Sequence, residues 1–236
     1  MKNTLTSAFL FFITLSIIAQ TSAREHFDKG LELYYQKNYN SSMLSFNSAI
    51  KADKKFELAY YNRGLCKYNL NDFKGAIKDY NAAAKLNKKN PNTYINRGLA
   101  KKAIGKGDAA VKDFRLALQH EPGSYKAYYN MGLVRYDQKN YQSANVFFSK
   151  SLENKPDFIE ALFYQGSVKY QQRQFAEAIQ IFTRVLQMKN DYEPAYFNRA
   201  LSKIASEDKK GACEDYKRSI ELGNSKSSVQ FNHHCK

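Results

Sequence analysis

The chain has 236 residues, of which 43% are hydrophobic and 25% charged, an ordinary composition for a soluble protein that excludes no size of core. Its formal net charge is +15, but the basic residues are dispersed and form no run, so a solvated basic exterior is the simplest reading. Tryptophan is absent and glycine and proline are few, which suits a mostly helical chain.

The N-terminal stretch differs in kind. Lys2 is the only charge before Arg24, and residues 5–19 form an apolar run interrupted by Thr6, Ser7, Thr14 and Ser16. A charged start, a short apolar core and a small residue at its end describe a signal peptide. The run is short for a membrane span, which needs about 20 apolar residues. Residues 1–23 are therefore expected to be removed, after Ala19 or after Ala23, giving an exported protein, periplasmic or secreted. Losing Lys2 leaves the remainder at +14, one below the full chain's +15.

From there the sequence repeats. Gly30, Gly64, Gly98, Gly132, Gly166 and then Ala200 recur at a spacing of 34 residues, in segments such as Tyr60-Tyr61-Asn62-Arg63-Gly64-Leu65 and Tyr94-Ile95-Asn96-Arg97-Gly98-Leu99. With the glycine slot as position 8, repeats begin at Ala23, Glu57, Pro91, Tyr125, Ile159 and Glu193. Position 20 is Ser42, Ala76, Ala110, Ala144, Ala178 and Ala212; position 24 is Phe46, Tyr80, Phe114, Phe148, Phe182 and Tyr216. In the second repeat, Tyr60, Tyr61, Leu65 and Tyr68, then Phe73, Ala76, Ile77 and Tyr80, recur at helical intervals on either side of a polar Asn71-Asp72 turn. Each repeat thus reads as two antiparallel helices, and stacking completes a core that no single pair can bury.

Bulky at 4, small at 8 and 20 and aromatic at 24 resembles the tetratricopeptide repeat. The resemblance covers residues 23–226 and implies an all-α, right-handed solenoid of antiparallel helix pairs. The expected organisation is a signal peptide over 1–23, six repeats over 24–226 with boundaries near 57, 91, 125, 159 and 193, and a C-terminal tail over 227–236. Gly107 and Lys209 replace the aromatic found at position 17 in four other repeats, so the second helices of repeats three and six should be anchored less well at their starts.

Arg63, Arg97 and Arg199 occupy position 7 in the same three repeats that carry Asp79, Asp113 and Asp215 at position 23; elsewhere both are absent. The simplest cause is an ion pair between the two helices of a repeat. Cys66 reads as a small packing residue. Cys213 and Cys235 are candidates for a disulfide that would pin the tail over the last repeat. Without it, an apolar end face remains for self-association through the C-terminal repeat. His233, His234 and Cys235 are weak grounds for a metal site, and none is expected. Asn40-Ser41-Ser42 matches a glycosylation sequon, meaningful only in a eukaryotic secretory pathway.

No motif for catalysis is present: no HExxH, GxSxG or phosphate-binding GxxxxGK[ST]. Gly105-Lys106-Gly107-Asp108-Ala109-Ala110 matches GxGxxA but follows a helix and fills a turn, the wrong context for dinucleotide binding. The chain is not expected to be an enzyme, to need a cofactor or to bind nucleic acid. The resemblance implies instead a scaffold that binds a peptide or partner helix in a groove lined by positions 2, 5, 6, 9, 12 and 13. Position 6 supplies Asn62, Asn96, Asn130 and Asn198, whose carboxamides offer donors and an acceptor to a bound backbone. Positions 5 and 12 supply Tyr61, Tyr129, Phe163, Tyr68, Tyr136 and Tyr170. The basic and Asn pattern of the family's carboxylate clamp is missing at positions 5 and 9. Two other readings stand beside the groove: an anionic envelope polymer or membrane surface held by the basic exterior, and a subunit of a larger secretion or enzyme assembly.

Overall fold

The computed structural model describes residues 21–236. The expected signal segment lies outside the described residues up to residue 20, while residues 21–23 already belong to the first helix. The helices are α1 (21–35), α2 (Tyr39–Ala52), α3 (Glu57–Asn69), α4 (Phe73–Leu86), α5 (Pro91–Ala103), α6 (Gly107–His120), α7 (Tyr125–Asp137), α8 (Tyr141–Asn154), α9 (Ile159–Gln171), α10 (Phe175–Met188), α11 (Glu193–Ala205), α12 (Lys209–Glu221) and α13 (Ser225–His234). No strand occurs among the described residues. The fold is an all-α solenoid whose helices group into two compact units, one ending at Pro122 and the other starting at Gly123. In each unit a helix packs on its pair-mate and then on the first helix of the next pair.

One complementary contact recurs through every repeat. The aromatic at position 24 is fully buried in all six, as are Ser42 and the alanines at position 20. In repeats one to five one edge of the ring lies against the glycine slot of the first helix. A Cβ on Gly30, Gly64, Gly98, Gly132 or Gly166 would stand 2.5–2.8 Å from the ring of Phe46, Tyr80, Phe114, Phe148 or Phe182. The glycines therefore offset their helix-propensity cost of about 1 kcal/mol by admitting a ring whose loss would cost roughly 3–5 kcal/mol.

The turns inside the repeats are equally regular. Position 15 has positive φ in every one: Lys37, Asn71, Gly105, Lys139, Arg173 and Glu207, with φ between 59° and 76°. This left-handed residue closes the first helix, and the next N–H reaches back to a carbonyl five residues earlier, as Asp72 does to Lys67 at 2.8 Å. The following residue caps the second helix. Asn38, Asp72, Asn140 and Asp208 accept a backbone N–H with their side chains, whereas Lys106 and Gln174 do not.

The C-terminus departs from the expected tail: residues Ser225–His234 form α13. Gly223, at φ 99°, ends α12 after 13 residues, one fewer than the preceding second helices. Asn224 then caps α13, accepting from the N–H groups of Lys226 and Ser227. The shorter helix and shorter loop advance α13 by two residues, so the buried Ser227 takes the place held by Ala59 and Ala195. Ser227 Oγ donates to Ser219 Oγ at 2.7 Å, and the Asn224 amide donates to Glu193. Phe231 and Cys235 pack against the Ala200, Ala212 and Tyr216 cluster. Cys213 and Cys235 form a disulfide, with Cα atoms 5.7 Å apart. The end of repeat six is thus covered by α13.

Candidate partner-binding face

The first-helix face carries side chains that hold the stack and others left without a partner in it, and the structure separates the two. The Arg and Asp residues at positions 7 and 23 belong to the stack. Arg63 Nε and Nη2 donate to Asp79 at 2.9 and 2.5 Å, Arg97 to Asp113 at 3.0 and 2.7 Å, and Arg199 to Asp215 at 2.8 and 2.6 Å. Each aspartate also receives a lysine one turn further along the first helix: Lys67 at 2.8 Å, Lys101 at 2.7 Å and Lys203 at 2.9 Å. The remaining Arg nitrogen reaches the preceding repeat, donating to Asn47, Asn81 or Thr183 at 2.6, 2.9 and 3.0 Å. The guanidinium planes lie over Tyr60, Tyr94 and Tyr196, 5.3–5.6 Å from the ring centres. These arginines are fully engaged and offer no free fork to a ligand.

The position-12 tyrosines also have partners. Tyr34 meets Tyr39 at 5.5 Å, Tyr68 meets Phe73 at 5.2 Å, Tyr136 meets Tyr141 at 5.5 Å and Tyr170 meets Phe175 at 5.7 Å between ring centres. Each pair clamps the turn between the helices of a repeat. Repeats three and six lack both members, having Lys102 with Gly107 and Ile204 with Lys209. That co-occurrence is a sequence signal for packing as plain as the Arg–Asp one.

At position 5, Tyr61, Tyr129 and Phe163 lean on the buried ring of their own repeat, with centres 6.0, 6.0 and 5.7 Å from Tyr80, Phe148 and Phe182. Burial pushes the phenol pKa values of Tyr61 and Tyr129 up, and a hydrogen bond from Asn96 partly offsets this at Tyr61. Tyr164, in the asparagine slot of repeat five, stacks on Phe148 and touches Tyr129, Tyr136 and Phe163, fusing the aromatics of repeats four and five.

The asparagine row remains. Asn62, Asn130 and Asn198 each spend an Nδ2 hydrogen on the carbonyl four residues earlier, at Leu58, Lys126 and Pro194, all at 2.8 Å. Asn96 donates instead to Tyr61 Oη at 2.8 Å. These bonds hold the carboxamides in one orientation, and no donor among the described residues reaches their Oδ1 atoms. Asn62, Asn96 and Asn198 are partly exposed, while Asn130 is nearly buried.

Among the described residues no group of three or more His, Cys, Asp or Glu is placed to hold a metal, and the His233 and His234 rings meet edge to face at 4.5 Å. No described helix is long and apolar enough to cross a membrane.

Family models described as tetratricopeptide repeat match residues 67–105, 95–157 and 160–188. The chain is a tetratricopeptide repeat protein. No curated protein matches it at the sequence level. Among solved structures, this tetratricopeptide protein resembles pilF of Pseudomonas aeruginosa with a TM-score of 0.78 and 17% identity, over 91% of this chain and 98% of that one. It resembles PilW, titled a widely conserved type IV pilus biogenesis factor, with a TM-score of 0.77 and 18% identity, over 88% and 97%. It resembles YrrB, titled a TPR protein with an unusual peptide-binding site, with a TM-score of 0.64 and 19% identity, over 80% and 97%. At these identities the likeness is one of fold.

Proposed function

We propose that this protein is an exported, non-catalytic scaffold that holds an extended peptide or a partner helix against its first helices. The observation that carries the reading is the asparagine row: carboxamides at one level of repeats two, three, four and six, each oriented by a bond from its Nδ2, with Oδ1 open to a partner's N–H. The first unit presents Asn62 and Asn96, and the second presents Asn198. Tyr61, Tyr129 and Phe163 supply apolar contact beside them, and the position-12 tyrosines brace the platform. A peptide-binding site in YrrB supports the mode of binding. Export is supported by the N-terminal sequence pattern, by a disulfide of the kind oxidising compartments favour, and by PilW's pilus role.

The test is a crosslinking pull-down from the native envelope fraction, comparing wild type with Asn62→Ala, Asn96→Ala and Asn198→Ala combined, in moderate salt. Asn130 is left intact because its burial makes it part of the stack. A partner kept by wild type and lost by the folded variant supports the reading. Equal capture by both removes the asparagines from the site.

A further inference from the structure

The basic charge is not featureless. The loops after α2 and α4 lie on one edge of the first unit and place the same residues in the same slots. Lys51 and Lys85 are in the last turns of the two helices, and Lys54, Lys55, Lys88 and Lys89 follow in the loops. All six are exposed, and no ion pair among the described residues engages them. Asp53 and Asn87 accept from the N–H groups of Lys55 and Lys89 at 2.8 and 3.0 Å, so both loops have the same turn and present their lysines alike. The corresponding slots of the second unit hold Glu153, Pro156 and Asp157, then Gln187, Asn190 and Asp191.

Two large exposed apolar residues neighbour these lysines in the sequence. Leu58, at the start of α3, and Leu86, the last residue of α4, are each 40% exposed. Helix-terminal lysines are accounted for by the helix dipole at Lys51 and Lys85, but the four loop lysines and the two leucines are not. A soluble polyanion would use the ammonium groups and leave the leucines wet. A bilayer uses both, because lysines gain near an anionic surface and apolar side chains gain at the headgroup boundary. We propose that this edge docks the first unit on an anionic lipid surface. The inference does not depend on the peptide reading.

The experiment uses the full chain and vesicles of phosphatidylcholine with and without phosphatidylglycerol, at low salt. Lys54→Gln, Lys55→Gln, Lys88→Gln and Lys89→Gln combined should weaken partitioning to the anionic vesicles on the order of 600-fold, at roughly fivefold per lysine. A control with the same charge loss on exposed second-helix lysines (Lys74, Lys78, Lys112 and Lys210, each to Gln) should lose far less. Equal loss in the two variants means unspecific attraction and overturns the proposal. Because the chain has no tryptophan, Leu86→Trp provides a single reporter, expected to shift to the blue on anionic vesicles only. An unshifted spectrum, or edge-dependent binding of inorganic polyphosphate without vesicle binding, also overturns it.

Discussion

Repeats three and five solve one packing problem with opposite chemistry. In repeat three the space between α5 and α6 holds Arg97, Lys101 and Asp113, with Asp113 only 2% exposed. In repeat five the same slots hold Gln165, Lys169 and Ile181; Gln165 keeps only the bond to the preceding repeat, at 3.0 Å to Ser149, and Lys169 turns to Glu177 at 2.7 Å. An apolar residue can be trimmed at modest cost, whereas a buried charge depends on every partner around it. The backbone is shared, so the difference lies in how each repeat tolerates damage.

The sharpest way to break the comparison is Asp113→Ala, which strands Arg97 and Lys101. It is expected to cost about 3–5 kcal/mol, and Arg97→Ala to approach that figure. Gln165→Ala should cost about 1 kcal/mol, the value of one ordinary hydrogen bond. Urea denaturation of the three variants measures this, and equal midpoints would remove the distinction. Converting repeat three to the repeat-five pattern with Arg97→Gln, Ala109→Glu and Asp113→Ile together should recover most of the loss, since Lys101 then gains the partner that Glu177 gives Lys169.

The next effect concerns the end of the second unit. Cys213→Ser should destabilise by roughly 3 kcal/mol, as expected for a cross-link closing a loop of this size, and should raise amide exchange across residues 225–234. Unchanged exchange there would mean that Phe231, Ser227 and Asn224 hold α13 without the disulfide.

Position 24 offers a smaller contrast. Tyr80 and Tyr216 bury hydroxyls that have no hydrogen-bond partner, where four repeats use Phe. Tyr80→Phe and Tyr216→Phe should each stabilise by about 1–2 kcal/mol, and Phe114→Tyr should do the reverse. Burial also raises the Tyr216 pKa from 10.0 to about 12. The native chain then keeps a proton that the unfolded chain has lost, so stability is full below pH 10 and falls as pH rises toward 12. Alkaline unfolding should begin later in Tyr216→Phe, as followed by circular dichroism.

The mildest effect lies at the turns. Lys106→Asp and Gln174→Asp supply the cap that Asp72 and Asp208 already provide, and each should add about 1 kcal/mol. No gain would mean the left-handed turn residue fixes the helix start unaided.

The repeat itself was legible because stacking is local. Each helix pair meets only its neighbours, so the glycine slot, the buried ring and the Arg–Asp coupling recur at a fixed sequence interval and can be counted. Residues that complete a contact without being invariant escaped that count. Lys101 and Asn81 are visible as parts of a buried charge cluster only when three helices are brought together. The contacts of the position-12 tyrosines with Phe73 and Tyr141 are visible only in the folded repeat. At the C-terminus, α12 stops early at Gly223, which shifts α13 by two residues and takes it out of the period.

What the sequence alone determined was therefore the architecture: period, helix pairs, buried rings and the slots that must stay small. Tertiary structure decided which polar groups on the first helices are already satisfied. A carboxamide, a phenol or a guanidinium is equally able to bind a neighbour or a partner, and only the distances to surrounding donors and acceptors show which has been taken up. They leave the asparagine Oδ1 row and the lysine edge of the first unit without a partner among the described residues.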